Sequence, residues 1–312
     1  MDPLSDVLSL LRPRSFMSGG VDHGGAWAIK FGRYEGIKFQ AVISGGCWLV
    51  VEGVDEPVRI EAGDCYLLPH GRPFHLASDL SLEPVDAYAV LGLPLNGQVR
   101  RINGGGDCLS LGGRFVFEGR HAELLLASLP PIVHLRKESD KAAMRWSVER
   151  LMLEIREPQP GGDIIAQQLA TMVLVQALRL HLGDAAARGV GWMSALADRQ
   201  MTAAMNAMHA EPGRRWTIEA LAACAAMSRS SFALKFKRIV GASPMDYLTR
   251  WRMILAADRL ASGRETISAL APALGYESES AFSTAFKRVM GCAPRQYGRG
   301  GAAPADAAMV PA

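Results

Sequence analysis

The stretch GYESESAFSTAFKRVMGCAPRQY, residues 275–297, sets Phe282 and Phe286 four apart, the spacing of a helix that buries one edge. Its other edge carries Glu279, Ser280, Ser283 and Thr284. Fifty residues earlier, LAACAAMSRSSFALKFKRIVGASPMDY, residues 221–247, has Phe232, Phe236, Lys237 and Arg238 where the later copy has Phe282, Phe286, Lys287 and Arg288. The copies align at an offset of 50 once one extra residue is admitted in the second turn, and both continue into Gly, Pro and Tyr. Two copies with no capping units fit a tandem pair of one small helical unit, not a solenoid.

Each copy reads as a short helix (about 217–225 and 266–274), a turn, and a second helix opened by a serine cap, Ser228 or Ser278. Phe232, Phe236 and Ile239 should pack on Ile218, Leu221 and Ala222. That leaves Arg229, Ser230, Ala233, Leu234 and Lys237 facing out, and in the later copy Glu279, Ser280, Ser283, Thr284 and Lys287. Small or hydrogen-bonding side chains let a helix approach base edges in a major groove, while the cations hold phosphates. A solvated amphipathic helix is the plainer reading of either copy alone; the duplication favours the nucleic-acid reading. Between the copies, SPMDYLTRWRMILAADRLASG is a helix with Ser243 as cap, Pro244 at its first position and Gly263 at its end. At 1.5 Å per residue its roughly 18 residues span about 27 Å, which suits two recognition helices about one DNA turn apart.

Charge agrees with that partner. Residues 206–300 hold 14 Lys and Arg against 7 Asp and Glu, a local +7, whereas the remainder holds 20 against 24, or −4. The apolar fraction of 49% with 21% charged residues is ordinary for a globular chain of 312 residues, so wholesale disorder is excluded. The most apolar run, residues 164–182, is broken by Gln167, Gln168, Gln176 and Arg179, and the N-terminus lacks the charge order of a secretory signal. A cytoplasmic protein with no membrane partner is expected. Cys47, Cys65, Cys108, Cys224 and Cys292 are scattered without C-x-x-C spacing, so reduced packing thiols are expected; a redox switch among Cys47, Cys65 and Cys108 stays open.

With these residues in view, the C-terminal hundred residues closely resemble the DNA-binding domain of AraC/XylS-family transcription regulators. GYESESAFSTAFKRVMGCAPRQY is the more specific signature, with LAACAAMSRSSFALKFKRIVGASPMDYL as its companion. The resemblance implies two helix-turn-helix units entering adjacent major grooves of double-stranded DNA. Ala233 and Leu234 stand where a base-reading Gln or Arg is usual, so readout should lean on serine hydroxyls, Glu279, thymine methyls and DNA shape.

Residues 26–118 read as β: WAIKFG, KFQAVISG, CWLVVEG, PVRIEAGDCYLLPHG, DAYAVLGL and GGRFVFEG are short apolar runs ended by Gly, Pro or Asp. Residues 38–53 and 58–79 resemble the cupin-type sensor domain of many such regulators, which implies a β-barrel for a small-molecule effector. An apolar pocket walled by Trp27, Trp48 and Tyr66, with Lys38, Gln40 and His75 as its polar groups, is one reading; simple core packing is the other. Metal-dependent cupins have an H-x-H, but here Lys38, Phe39 and Gln40 occupy that element and His75 stands alone, so neither metal nor cofactor is expected. His70 and His23 read as turn and loop residues.

The expected architecture is α+β and multidomain. A cupin-like β-barrel over 1–118 precedes a helical connector over 119–192, with helices near 142–155 and 164–183 split by PQPGGD. An all-α tandem helix-turn-helix domain over 193–300 and a disordered tail over 301–312 follow. The expected function is effector-responsive, sequence-specific DNA binding by a homodimer joined through the 164–183 helix, with RNA polymerase as a further partner. A metal-free cupin-type enzyme and a redox-sensing regulator are the competing readings.

Overall fold

The computed structural model describes residues 2–92, 95, 98–117, 129–135, 138–157, 159–188, 191–263 and 265–298. The chain divides into two compact units, Leu11–Asp184 and a second that joins Ala185–Ala312 to Met1–Leu10.

The first unit holds β1 (Arg14–His23), β2 (Ala28–Phe31), β3 (Ile37–Ser44), β4 (Gly46–Val51), β5 (Val58–Glu61) and β6 (Cys65–Leu68). It continues with β7 (Phe74–Ala77), β8 (Val85–Asp86), β9 (Val99–Ile102), β10 (Cys108–Val116) and β11 (Val133–Leu135). The expected barrel is instead two sheets, ordered β11-β6-β3-β10-β1-β9 and β5-β4-β7-β2-β8, each with edge strands among the described residues. Gly45 is where the chain leaves the first sheet for the second. It holds φ at 73°, and a Cβ there would meet the Asp107 carbonyl oxygen, so the crossing requires glycine. Ile29, Val42, Leu49, Ile60, Tyr66 and Leu76 belong to the core that the sheets bury.

Two local readings are corrected. DAYAVLGL is not a strand: after β8 it forms α2 (Ala87–Leu91), because the Asp86 carboxylate accepts the Tyr88 N–H at 2.9 Å and Gly92 ends the turn in the left-handed region. RSFMSGGVDH, outside the expected β region, is the ten-residue β1, antiparallel to β10 and parallel to β9. The connector has helices α3 (Glu138–Arg156) and α4 (Gly162–Arg188), preceded by β11 paired with β6. Leu124, Leu125 and the tail after 300 lie outside the described residues.

The second unit is helical: α5 (Trp192–Ala197), α6 (Arg199–Ala210), α7 (Ile218–Cys224), α8 (Arg229–Val240), α9 (Pro244–Ala261), α10 (Ile267–Ala273), α11 (Glu279–Met290) and α12 (Pro294–Gly298). Helix α1 (Pro3–Leu11) reaches it through Asp6, whose carboxylate lies 3.1 Å from His209 Nδ1. His209 Nε2 lies 2.7 Å from the Tyr247 hydroxyl, and the ring stacks on Trp251 at 3.9 Å. Burial lowers the His209 pKa to about 4 against the pull of Asp6. The neutral ring serves both partners by donating from Nδ1 and accepting at Nε2.

Candidate nucleic-acid interface

The repeat is structural as well as sequential. Thr217 caps α7 through the Ala220 N–H, and Thr266 caps α10 through the Ala269 N–H. Ala226, at φ 51°, and Gly275, at φ 78°, make the left-handed bend of each turn. Met227 N–H donates to Ala222 and Tyr276 N–H to Ala271, both at 2.9 Å, so the extra residue of the second copy is Glu277. Ser228 and Ser278 then cap α8 and α11, helices of 12 residues each, and Gly241 and Gly291 close them in the left-handed region.

Phe232, Phe236, Phe282 and Phe286 are fully buried. Phe236 meets Tyr247 edge-on at 5.8 Å, and Phe286 meets Tyr297 the same way at 5.6 Å. Helix α9 feeds both cores, Leu248 on one side and Met253, Ala256, Ala257 and Leu260 on the other. Arg252 ties the two helix-turn-helix copies together: its Nε donates to the Pro212 carbonyl at 2.6 Å and its Nη2 to the Arg214 carbonyl at 2.8 Å. Its guanidinium also lies 5.7 Å from the Tyr276 ring centre.

Outward from this scaffold, α8 exposes Arg229, Ser230, Ser231, Leu234, Lys237 and Arg238, and α11 exposes Glu279, Ser280, Ala281, Thr284, Lys287 and Arg288. Eight of the ten expected residues are among these. The exceptions are Ala233 and Ser283, which are half-buried on the flank of their helices. Ser231, Arg238, Ala281 and Arg288 complete the exposed stripes and were not anticipated; the i+4 steps from Ser230 through Leu234 to Arg238 and from Ser280 through Thr284 to Arg288 are the signal that finds the two arginines. Arg229 is held by Glu219 at 3.0 Å, an exposed pair. Lys235 turns inward to Asp198 at 2.7 Å and Gln200 at 2.8 Å, which removes it from the cationic face. Within the C-terminal helices, a cleft of about 350 Å³ between the two helix-turn-helix copies is lined by Arg215, Trp216, Arg252, Tyr276 and Glu277, with the Arg215–Glu277 ion pair at 2.7 Å.

The six residues expected to line an N-terminal pocket do not converge. Trp48 and His75 pair with Ala77 and Val50 in the second sheet, and strand alternation puts them on the face away from Leu49, Leu76 and the core. There the Arg59 guanidinium lies over Trp48 at 5.5 Å. Tyr66 donates its hydroxyl to Gln40 at 2.7 Å, and the Gln40 amide donates to Ser110 at 2.8 Å, a buried chain complete in itself. Trp27 stacks on His23 at 3.7 Å, where burial lowers the His23 pKa to about 4.

Lys38 stands apart from these. Its ammonium lies 4.4 Å from the Phe31 ring centre, 5.0 Å from Phe74 and 5.6 Å from Tyr34. It is paired across β3 with Leu68 and Arg114, and Arg114 in turn with Phe16. Burial and the neighbouring Arg114 lower its pKa to about 8. Among the described residues, Lys38 and Arg114 form no ion pair with a carboxylate. No group of three or more His, Cys, Asp or Glu there comes together as a metal site, and no described helix is long and apolar enough to cross a membrane.

Residues 2–183 match the cupin family and residues 221–300 match the helix-turn-helix domain family. A Streptomyces lividans protein named as an AraC-like transcription regulator is 43% identical over 279 residues, covering 89% of this chain and 91% of its own. A Streptomyces antibioticus protein of the same name is 42% identical over 279 residues, covering 89% and 92%. The regulator AlkR of Acinetobacter baylyi is 27% identical over 286 residues, covering 89% and 92%.

Proposed function

This chain belongs to the AraC-like family of transcription regulators with a cupin-like N-terminal region, and from that premise we propose how it reads DNA and receives its signal. Helices α8 and α11 enter successive major grooves of one duplex. Ser230, Leu234, Glu279, Ser280 and Thr284 face base edges, with Ala233 and Ser283 at the margins, while Arg229, Lys237 and Lys287 neutralise phosphates. The observation that carries this is the duplicated cationic stripe held on one scaffold by α9 and Arg252. Full-length chain mixed with promoter duplex at about 50 mM salt should give two protected patches about one turn apart. Binding should weaken steeply by about 200 mM. Salt-insensitive association, or none, would sink the reading.

The effector part of the proposal centres on the Lys38 end of the sheets. A small molecule with an anionic group and an apolar body would meet Lys38 and Arg114 with its charge, and Phe31, Tyr34 and Phe74 with its body. Trp27, Gln40 and Tyr66 then support the core behind the site, and Trp48 and His75 lie outside it. In this reading the chain acts as a regulator without catalytic residues, works as a homodimer through the connector helices, and meets RNA polymerase at its promoters. Calorimetric titration with a panel of small carboxylates tests the class: heats lost in Lys38→Met support it, and identical heats in that variant reject it.

A further inference from the structure

We propose that each recognition helix reads the C5-methyl of one thymine with an apolar group at its apex, Leu234 in α8 and Thr284 in α11. The inference rests on the duplex reading above and assigns its specificity.

Leu234 lies two residues from both Phe232 and Phe236, so at about 100° per residue it points directly away from the buried stripe. It is 74% exposed, the most exposed large apolar side chain among the described residues. Water is a poor partner for such a group, and its surroundings define what is a better one. Ser230, Ser231, Lys237 and Arg238 share its stripe, all exposed. The occupant must therefore be anionic at its edges and apolar at one point. A major groove has phosphate rims, and the thymine methyl is the apolar group on its base edges.

The second copy repeats the arrangement. Thr284 stands fifty residues on, at the same place between the phenylalanines and beside Lys287 and Arg288. Its hydroxyl donates to the Ser280 carbonyl of its own helix at 2.9 Å. That bond commits the hydroxyl proton, so the hydroxyl cannot donate to a base acceptor, and the methyl is the apolar group this apex presents to a base. A protein docking on Leu234 would give no reason for the same device beside the second Lys-Arg pair.

The test uses the full chain and a tight-binding duplex selected by it from a randomised pool. Each thymine is replaced in turn by deoxyuridine, which lacks only the methyl. One position in each half of the site, about one helical turn apart, should lose about fourfold in affinity, the worth of one buried methyl. Leu234→Ala should abolish the penalty at one position alone and Thr284→Ser at the other alone, with melting unchanged in both. Deoxyuridine tolerated everywhere in a duplex that is still bound tightly overturns the assignment and leaves the DNA reading intact. Penalties that persist in both variants overturn it as well. If Leu234→Ala keeps full DNA affinity but loses transcriptional output, the occupant is a protein and the assignment fails. A chain that selects no duplex overturns the DNA reading itself.

Discussion

Gly213 and Gly275 meet backbone to backbone: a Cβ on Gly275 would collide with the Gly213 carbonyl oxygen, and one on Gly213 with the Ala273 carbonyl oxygen. The same Gly275 Cβ would lie 2.8 Å from Arg252 Nη2, so the contact belongs to the clamp that joins the two helix-turn-helix units. The structurally equivalent residue of the first copy, Ala226, holds a left-handed φ with a side chain already in place. Gly275→Ala should therefore destabilise the C-terminal helices by about 2 kcal/mol or more, since backbone strain and collision add. Ala226→Gly should be neutral or stabilise by up to about 1 kcal/mol. Urea melts of the two variants check this; equal effects would show that the second turn is free to move.

The cations of the two stripes separate by role. Lys237→Ala and Lys287→Ala should each weaken binding to every duplex alike and lower the salt slope by about one. Lys235→Ala should leave the slope alone and reduce stability modestly, because Lys235 bonds Asp198 and Gln200 at partly buried positions. A slope that falls with Lys235 and not with Lys237 would reverse the assignment.

Phe232→Ala and Phe286→Ala each remove a fully buried ring from one unit. A loss of about 3–5 kcal/mol is expected, with DNA binding lost through unfolding of that unit. Hydrogen exchange should show the damage starting in the unit that carries the change. Native protection with binding lost would place these rings outside the core.

The tandem helices were readable because every signal in them is local: serine caps, paired phenylalanines, closing glycines, and a repeat that required one extra residue in its second turn, which the turn hydrogen bonds identify as Glu277. The sheets were not, since their order depends on partners far along the chain. Strand β1 hid behind Gly19 and Gly20, which weaken a strand reading. There a Cβ on Gly19 would meet the Gln98 carbonyl oxygen and one on Gly20 would press on Val99. Alternation in β4 and β7 was visible, but only pairing shows that Leu49 and Leu76 face the core, which sends Trp48 and His75 to the other side. Gln40 reads as a polar group of a pocket and Tyr66 as one of its aromatic walls; in the structure the Tyr66 hydroxyl is bonded to Gln40 and the Gln40 amide to Ser110, pairings that only the fold reveals.

Lys38 gives a pH dependence of defined sign. Its folded pKa of about 8 lies below the ordinary 10.5, so between those values the unfolded chain holds the proton more often than the folded one. Stability conferred by the neutral amine therefore rises with pH across that window and is lost as pH falls toward 8. Lys38→Met, which keeps the apolar stem and removes the charge, should melt higher than the wild type near pH 7. The difference should shrink toward pH 10.5, and a carboxylate ligand should oppose it by stabilising the charged form. A wild type that tracks Lys38→Met at every pH would show that the aromatic rings already compensate the buried charge.

The apolar surface open to a second copy lies on α3 and at the start of α4, not along the middle of α4. In α4, Val173 is fully buried and Leu169 is buried within the chain, so the middle of that helix is already covered. Apolar exposure is found instead at its start, Ile164 at 68% and Ile165 at 42%, and along α3, Trp146 at 64% and Leu153 at 46%. Trp146 and Leu153 are seven residues apart with Ala142 four before, the spacing of a seam that packs on a second helix. A second copy applying the same stripe would cover both faces at once by two-fold symmetry. Two DNA-binding units would thereby be linked and affinity raised through effective concentration. Analytical ultracentrifugation of Trp146→Glu with Leu153→Glu should give a folded monomer where the wild type sediments as a dimer at tens of micromolar. Val173→Glu should instead unfold the helix, since it buries an unpaired charge. A dimer that survives the paired change with normal melting would move the interface off α3, and a wild type that is monomeric with and without DNA would remove it altogether.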